Sequence, residues 1–290
     1  MFKRLFKRGL CANATGEKSF PYAETIIHQQ HELLYLIKRA RFTAFGEHYR
    51  FRELLAAADP AKAFRENVPL HTYRDIYLRW WYRPMNGETY VVWPGRIKYF
   101  ITYGMNGHKI GKIVPFSREM IRTVCKTAIP GLPDSFPPDT YQLPIKLDFN
   151  GIFYEGNLAG IVKRHYPVKY KCCFPFNALE TLSLQNILMT ETGVVAVKTG
   201  GNRFRMLTDT GNYFEFIPLD EVDFAKGKPV VEGSKALPLE KIEENTAYLL
   251  VCSNRSGAWR YITGEVLLFT HLEKLEFERR DRIVKEQGTA

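Results

Sequence analysis

The chain has 290 residues, 45% of them hydrophobic and 14% aromatic, enough to bury a full core as one large domain or two smaller ones. No apolar run approaches the roughly 20 residues that span a bilayer, and the opening Met1 to Arg8 carries charges where a signal peptide needs apolar residues, so a cytoplasmic location is expected. The formal charge of +10 is spread along the chain rather than clustered, which argues against a nucleic-acid footprint. One local exception is Met1 to Arg8, where four Lys or Arg alternate with Phe2, Leu5 and Phe6; this tip suits either a membrane surface or a solvated terminus. Five cysteines include the adjacent Cys172 and Cys173 but no Cys-x-x-Cys spacing, so reduced, mostly buried thiols are expected.

In chain order, Ile26, Ile27, Leu33, Leu34 and Ile37 recur at helical spacing between Ala23 and Ala40, with Lys38 and Arg39 near the end that the helix dipole favours for cations. A short helix follows from Arg52 to Ala58, and Thr72 to Asp75 has the pattern of a helix start running toward Arg83. Arg96 to Thr102 and Ile113 to Pro115 read as strands around a glycine-punctuated loop, Tyr103 to Lys112, with a helix from Ser117 to Thr127 behind them. The proline-rich stretch 131–144 reads as a loop or crossover. Strands are expected at Lys146 to Phe149, Gly193 to Val197, Phe204 to Thr208, Tyr213 to Pro218 and Ala247 to Ser253, and a helix around Leu158 to His165. There is no internal repeat. The class is α/β or α+β.

Each candidate motif has a plain structural reading beside a functional one. The glycines of the Tyr103 to Lys112 loop would let backbone N–H groups approach phosphate oxygens, with Lys109 and Lys112 as counter-charges, yet a hairpin turn explains them too. Met189 to Gly193 offers a hydroxyl and a carboxylate for a nucleotide or magnesium, or a simple turn. Glu215, flanked by aromatics, is a partnered structural acid or part of a site. Tyr261 to Glu265 ends in a carboxylate suited to a ribose diol, after a tight Thr-Gly turn. Arg279, Asp281 and Lys285 in isolation read as a charged tail.

Taken in order, these segments resemble the Gretchen Hagen, auxin-responsive, family of acyl-acid amido synthetases, a branch of the adenylate-forming superfamily. The matching stretches include Gln29 to Phe51, Phe64 to Pro69 with Tyr73, Trp93 to Gly95, Lys112 to Pro115, Thr190-Glu191, Phe214 to Pro218 and Arg260 to Gly264. The resemblance implies an α/β fold of mixed sheets flanked by helices, with a helical N-terminal layer over about residues 20–90 and a large N-terminal domain over 1–275. Residues 276–290 would form a hinge-like tail, the C-terminal domain being absent or supplied by a separate chain.

It also implies a two-step ligase using ATP and Mg. A small carboxylic acid attacks the α-phosphate, pyrophosphate leaves, and an amino acid's amine captures the acyl-adenylate. On the matching positions, Lys112 and Glu191 are the candidate catalytic residues, with Glu191 also the metal ligand. Tyr103, Gly104, Gly107, Thr190, Glu265 and Arg279 are the candidate nucleotide contacts, Glu265 and Arg279 meeting the ribose. Four features depart from the family pattern. Tyr103 to Gly107 lacks the family's hydroxyls, Glu265 stands for an aspartate, Glu278 stands for a hinge glycine, and the stretch between the loop and Glu191 is short. A catalytically inactive carboxylate- or nucleotide-binding module of the same fold is the alternative reading.

Overall fold

The computed structural model describes residues 22–103, 112–126, 146–147, 153–155, 187–225, 228–230 and 236–280. Gly104, Gly107, the Met1 to Arg8 tip, the proline-rich stretch, the helix expected around Leu158, the Cys172–Cys173 pair and everything after Arg280 lie outside them. Among the described residues no helix is long and apolar enough to cross a membrane.

The N-terminal layer is helical. Helix α1 (Tyr22–Ala40) buries Leu33, Leu36, Ile37 and Ala40 and places Lys38 and Arg39 in its last turn. After it come α2 (Ala44–His48), α3 (Phe51–Ala56) and α4 (Pro60–Asn67). Thr43 caps α2 through its hydroxyl, and Asp59 caps α4 ahead of Pro60, whose fixed φ suits a first helical position. A Cβ on Gly46 would lie 2.1 Å from the Ala40 carbonyl oxygen, so only glycine lets α2 fold back against the end of α1. The expected helix start at Thr72 is present as a capping box with Asp75, opening α5 (Tyr73–Ile76), a π-helical turn (Tyr77–Trp81) and α6 (Tyr82–Met85).

Two sheets follow, and a small hairpin. Strands β1 (Tyr99–Tyr103), β2 (Lys112–Phe116), β3 (Lys146–Leu147) and β4 (Phe153–Glu155) form a four-stranded sheet in the order β2-β1-β4-β3, with β1 and β4 parallel. Helix α7 (Arg118–Lys126) leaves β2 directly. Strands β5 (Ile187–Thr190), β6 (Gly193–Gly200), β7 (Arg203–Met206) and β8 (Asn212–Pro218) come next. The hairpin β9 (Asp223–Ala225) and β10 (Lys228–Val230) stands apart. Then β11 (Leu237–Pro238), β12 (Ala247–Asn254), β13 (Tyr261–His271) and β14 (Glu276–Arg280) complete an antiparallel eight-stranded sheet, ordered β11-β8-β12-β13-β14-β7-β6-β5.

Both faces of the large sheet are packed. Phe214, Phe216, Leu250, Leu267, Phe269 and Phe277 form one core, and Ile217, Leu249, Val251, Ile262 and Val266 another. A third core joins the helical layer to the sheet around Trp259, which stacks on Phe45 at 5.4 Å and meets Phe51 and Phe64 edge-on. Burying so many aromatics in one place, at roughly 25 cal/mol per Å² of apolar surface, ties the first hundred residues to residues 213–261. Gln29 reinforces the junction: its buried amide donates to the Thr208 and Asn212 carbonyls and accepts the Phe214 N–H, so α1 substitutes for a missing strand neighbour.

Two local features differ from the sequence expectation. The Thr263-Gly264 turn is part of strand β13: Ile262 faces Val251 and Val266 faces Leu249, so Thr263 to Glu265 bulge opposite Leu250 alone. Gly264 takes the left-handed φ of +81° that this bulge needs, and the Thr263 hydroxyl bonds the Leu250 carbonyl. Residues 276–280, read as the start of a hinge-like tail, form β14 between β13 and β7. The sequence reading took Arg279, with Asp281 and Lys285, as a charged tail, but the strand that carries Arg279 buries Glu276 and Phe277 and exposes only Arg279 and Arg280 at its end.

Candidate functional site

The β5–β6 hairpin turns on two residues, Glu191 and Thr192, with Gly193 at φ +104°. Turning that tightly exposes backbone, and the side chains satisfy it. The Thr190 hydroxyl accepts the Thr192 N–H at 3.1 Å and shares a 2.7 Å bond with the Thr192 hydroxyl, while the Asn254 amide donates to the Thr192 carbonyl at 3.1 Å. The Asn254 oxygen in turn accepts the N–H groups of Ser256 and Ala258, so the loop after β12 holds the hairpin tip rigidly. Glu191 is thereby buried, and its carboxylate forms a salt bridge with the ammonium of Lys112 at the start of β2.

Lys112 also donates to the Tyr261 hydroxyl at 3.2 Å and lies over the rings of Tyr73 and Tyr261 at 5.7 and 5.9 Å. Both rings are brought there by one stitch. The His71 N–H donates to the Arg260 carbonyl and the Ile262 N–H to the His71 carbonyl, pairing the entry to α5 with the start of β13. The Tyr73 hydroxyl then accepts the Ile113 N–H at 2.9 Å, fixing β2 one residue past Lys112. Burial pushes the Tyr73 phenol up from its ordinary value, so it stays a neutral donor and acceptor. The Cys252 thiol is buried behind the hairpin and pushed up by desolvation, which makes it inert rather than a nucleophile.

Among the candidates named from sequence, Lys112 and Glu191 come together with Tyr261, and Thr190 stands beside Glu191 in the chain with its hydroxyl on Thr192. Tyr103 ends β1 opposite Lys112 in the antiparallel register, at the mouth of the glycine loop. Glu265 and Arg279 form a separate pair: the guanidinium donates to both carboxylate oxygens, at 2.7 and 3.1 Å. The bulge at Gly264 presents Glu265 to its neighbour strand, where Leu267 and Arg279 are register partners. Sequence reasoning gave no role to Tyr73, Thr192 or Asn254; Tyr73 had a signal as a match within the family pattern, whereas the other two are linked to the site only by long-range pairing. Glu215 is structural. It is buried with Arg260, which donates to both of its oxygens at 3.0 and 3.1 Å.

The donor set at the hairpin suits a cation carried by a nucleotide. Magnesium keeps several waters and takes one or two protein carboxylates beside phosphate oxygens, and Glu191 with the Thr190 hydroxyl supplies hard oxygen donors of that kind. Among the described residues no group of three His, Cys, Asp or Glu could hold an ion unaided.

No curated protein sequence matches the chain. Among solved structures, a GH3.15 acyl acid amido synthetase superposes at TM-score 0.60 with 14% identity over 88% of this chain and 68% of that one. AtGH3.15 acyl acid amido synthetase in complex with 2,4-DB superposes at 0.61 with 13% identity, over 89% and 68%. These likenesses establish that the chain shares its fold, of mixed helices and antiparallel sheets, with GH3.15 acyl acid amido synthetase. Residues 22–150 match the GH3 family N-terminal domain and residues 205–280 the GH3 family central domain. The chain belongs to the GH3 family.

Proposed function

We propose that the chain is the adenylate-forming part of an ATP-dependent acyl acid amido synthetase, acting on a small carboxylic acid with an amino acid as acceptor. The observation that carries this reading is the meeting of Lys112, Glu191 and Tyr261, three residues far apart in sequence, each within a stretch that resembles a nucleotide motif of the family. A relative of the same fold holds a small acid, 2,4-DB. In this reading the N-terminal domain, expected over residues 1–275, extends through β14 to Arg280, because that strand lies inside its large sheet.

The roles follow from charge and position. Lys112, at the end of the glycine loop, neutralises charge developing on the phosphates, while Glu191 keeps its ammonium oriented until they arrive. Glu191 and Thr190 would hold the magnesium, which supplies Lewis-acid stabilisation of the phosphoryl oxygens. Glu265 accepts the ribose hydroxyls, and Arg279 orients it. Little covalent chemistry falls to these groups, which position two anions and shield their repulsion.

Carboxylate-dependent exchange of pyrophosphate into ATP, run over a panel of acids, tests the proposal. Glu191→Gln should lower exchange by about 100-fold with the fold retained, in the range seen when one charge-stabilising group is removed. Absence of exchange and of any ATP-induced thermal shift in the parent would overturn the enzyme reading. The second reading, an inactive module, is favoured by one observation: Glu265 already has both oxygens engaged by Arg279, so a ribose must displace a bidentate pair. That module would show a thermal shift with ATP or acid but no exchange.

A further inference from the structure

Several cations outside the candidate site lie at the far end of α1. Phe42, in the turn between α1 and α2, is 53% exposed; a lone exposed apolar residue is ordinary, and what distinguishes this one is its setting. The guanidinium of Arg41 lies 4.5 Å from its ring centre and that of Arg52 5.6 Å. Beside it a shallow concavity of about 390 Å³ is lined by Arg41, Arg50 and Arg52 with Glu47 and Glu53, over a floor of Gly46 and Phe51. Arg50 pairs loosely with Glu53 at 3.6 Å, both side chains at least 70% exposed. Lys38 adds a further exposed cation one turn before the corner.

The outer face of α1 continues the patch. Ile27, His31, Leu34 and Lys38 follow one another at spacings of four, three and four, so they share one face, and Ile27 and Leu34 are 52% and 36% exposed. From Ile27 to the corner at Phe42 is roughly 22 Å at 1.5 Å per residue. A line of three apolar side chains bordered by arginine and lysine is the pattern of an interfacial surface: the apolar groups enter the headgroup boundary and the long cationic stems reach back to phosphates. Glu24, Glu47 and Glu53 are the acids on this side, against Lys38, Arg41, Arg50 and Arg52.

We propose that this face, α1 with the Phe42 corner, docks the protein onto an anionic bilayer surface, with Phe42 entering the acyl boundary and Arg41, Arg50 and Arg52 receiving lipid phosphates in the concavity. Charge complementarity selects the occupant: two guanidinium groups flank the Phe42 ring, and the four cations outnumber the three acids, so the face is net positive toward anionic headgroups. The attraction falls within a Debye length, so it is salt-dependent. The docking face by itself is a single signal, which gives reversible rather than stable membrane binding.

Cosedimentation of the full chain with vesicles of phosphatidylcholine, with and without phosphatidylserine, tests the docking face. Binding should require phosphatidylserine, weaken with added salt, and fall at least tenfold in the triple variant Arg41→Gln, Phe42→Ala, Arg52→Gln, with circular dichroism unchanged. A second measurement is independent of that variant: Phe42→Trp should gain fluorescence quenching by brominated lipid relative to the parent. No vesicle binding by the parent overturns the proposal. So does binding that survives the triple variant but vanishes when residues 1–8 are deleted. Binding to soluble polyglutamate with none to vesicles would assign the face to an acidic protein and overturn it equally.

Discussion

Arg260 shows how one side chain can hold distant segments in register. It sits at φ +43°, a left-handed conformation uncommon outside glycine, and its side chain is fully buried. Besides the Glu215 carboxylate it bonds the Arg65 and Val68 carbonyls, each at 2.6 Å, so one guanidinium closes the end of α4 onto β8 and the start of β13. Replacing it with methionine strands a buried carboxylate and two carbonyls together. Arg260→Met should destabilise the fold by about 3–5 kcal/mol, read as a lower urea midpoint at unchanged slope. Adding Glu215→Leu should recover only part of that, because the two carbonyls stay unpaired. The pair at Lys112 and Glu191 differs in kind: the lysine side chain is 37% exposed, so its ammonium can exchange partners without the same penalty. Glu215 could be recognised in the sequence as an acid needing a partner, but the identity of that partner could not, since 45 residues separate the two.

Single elements are shaped by close contacts as much as by propensity. Gly257, in the loop between β12 and β13, has φ +84°, and a Cβ there would lie 2.5 Å from Val92 Cβ and 2.7 Å from the Val92 carbonyl oxygen. Gly257→Ala therefore adds backbone strain to a direct clash and should cost about 2–4 kcal/mol, seen as a drop in thermal midpoint. Gly264 acts in a different way. Its φ of +81° sustains the bulge that presents Glu265, so Gly264→Ala should cost only about 1–2 kcal/mol of stability. Its larger effect should be on ATP affinity, and calorimetric titration that showed no weakening would disconnect the bulge from the site. The sequence read that bulge as a turn because Thr-Gly is turn chemistry; the strand pairs on both sides of it, at Val251 and Leu249, lie in a segment more than ten residues away. By contrast, α1 and the Thr72 capping box were legible because their signals are contained within one or two turns of chain.

The whole molecule is joined where the helical layer meets the large sheet, and His71 lies on that seam. It is 2% exposed, packs beside Phe45 and Tyr49, and bonds the Trp259 carbonyl through Nδ1 at 2.8 Å. Burial, with the nearby Arg260 charge, lowers its pKa from 6.5 to about 4, despite the opposing pull of the Trp259 carbonyl and Asp75. The folded protein thus binds no proton there between about pH 6.5 and 4, whereas the unfolded chain does. Its contribution is fully present above 6.5 and falls by about 3 kcal/mol as the pH drops to 4. Urea unfolding across that window should show the loss, and His71→Gln should flatten it. Periodicity, caps and the order of short motifs, all local or sequential properties, were enough to establish from the sequence the helical start, about half of the described strands and the family whose chemistry the site resembles. Only the tertiary structure decided that Lys112 engages Glu191 and Tyr261, that Arg279 engages Glu265, and that residues 276–280 belong to the sheet. Charge pairs and strand neighbours are chosen by proximity in space, and a one-dimensional pattern does not encode which of several compatible partners the packed core will bring within reach.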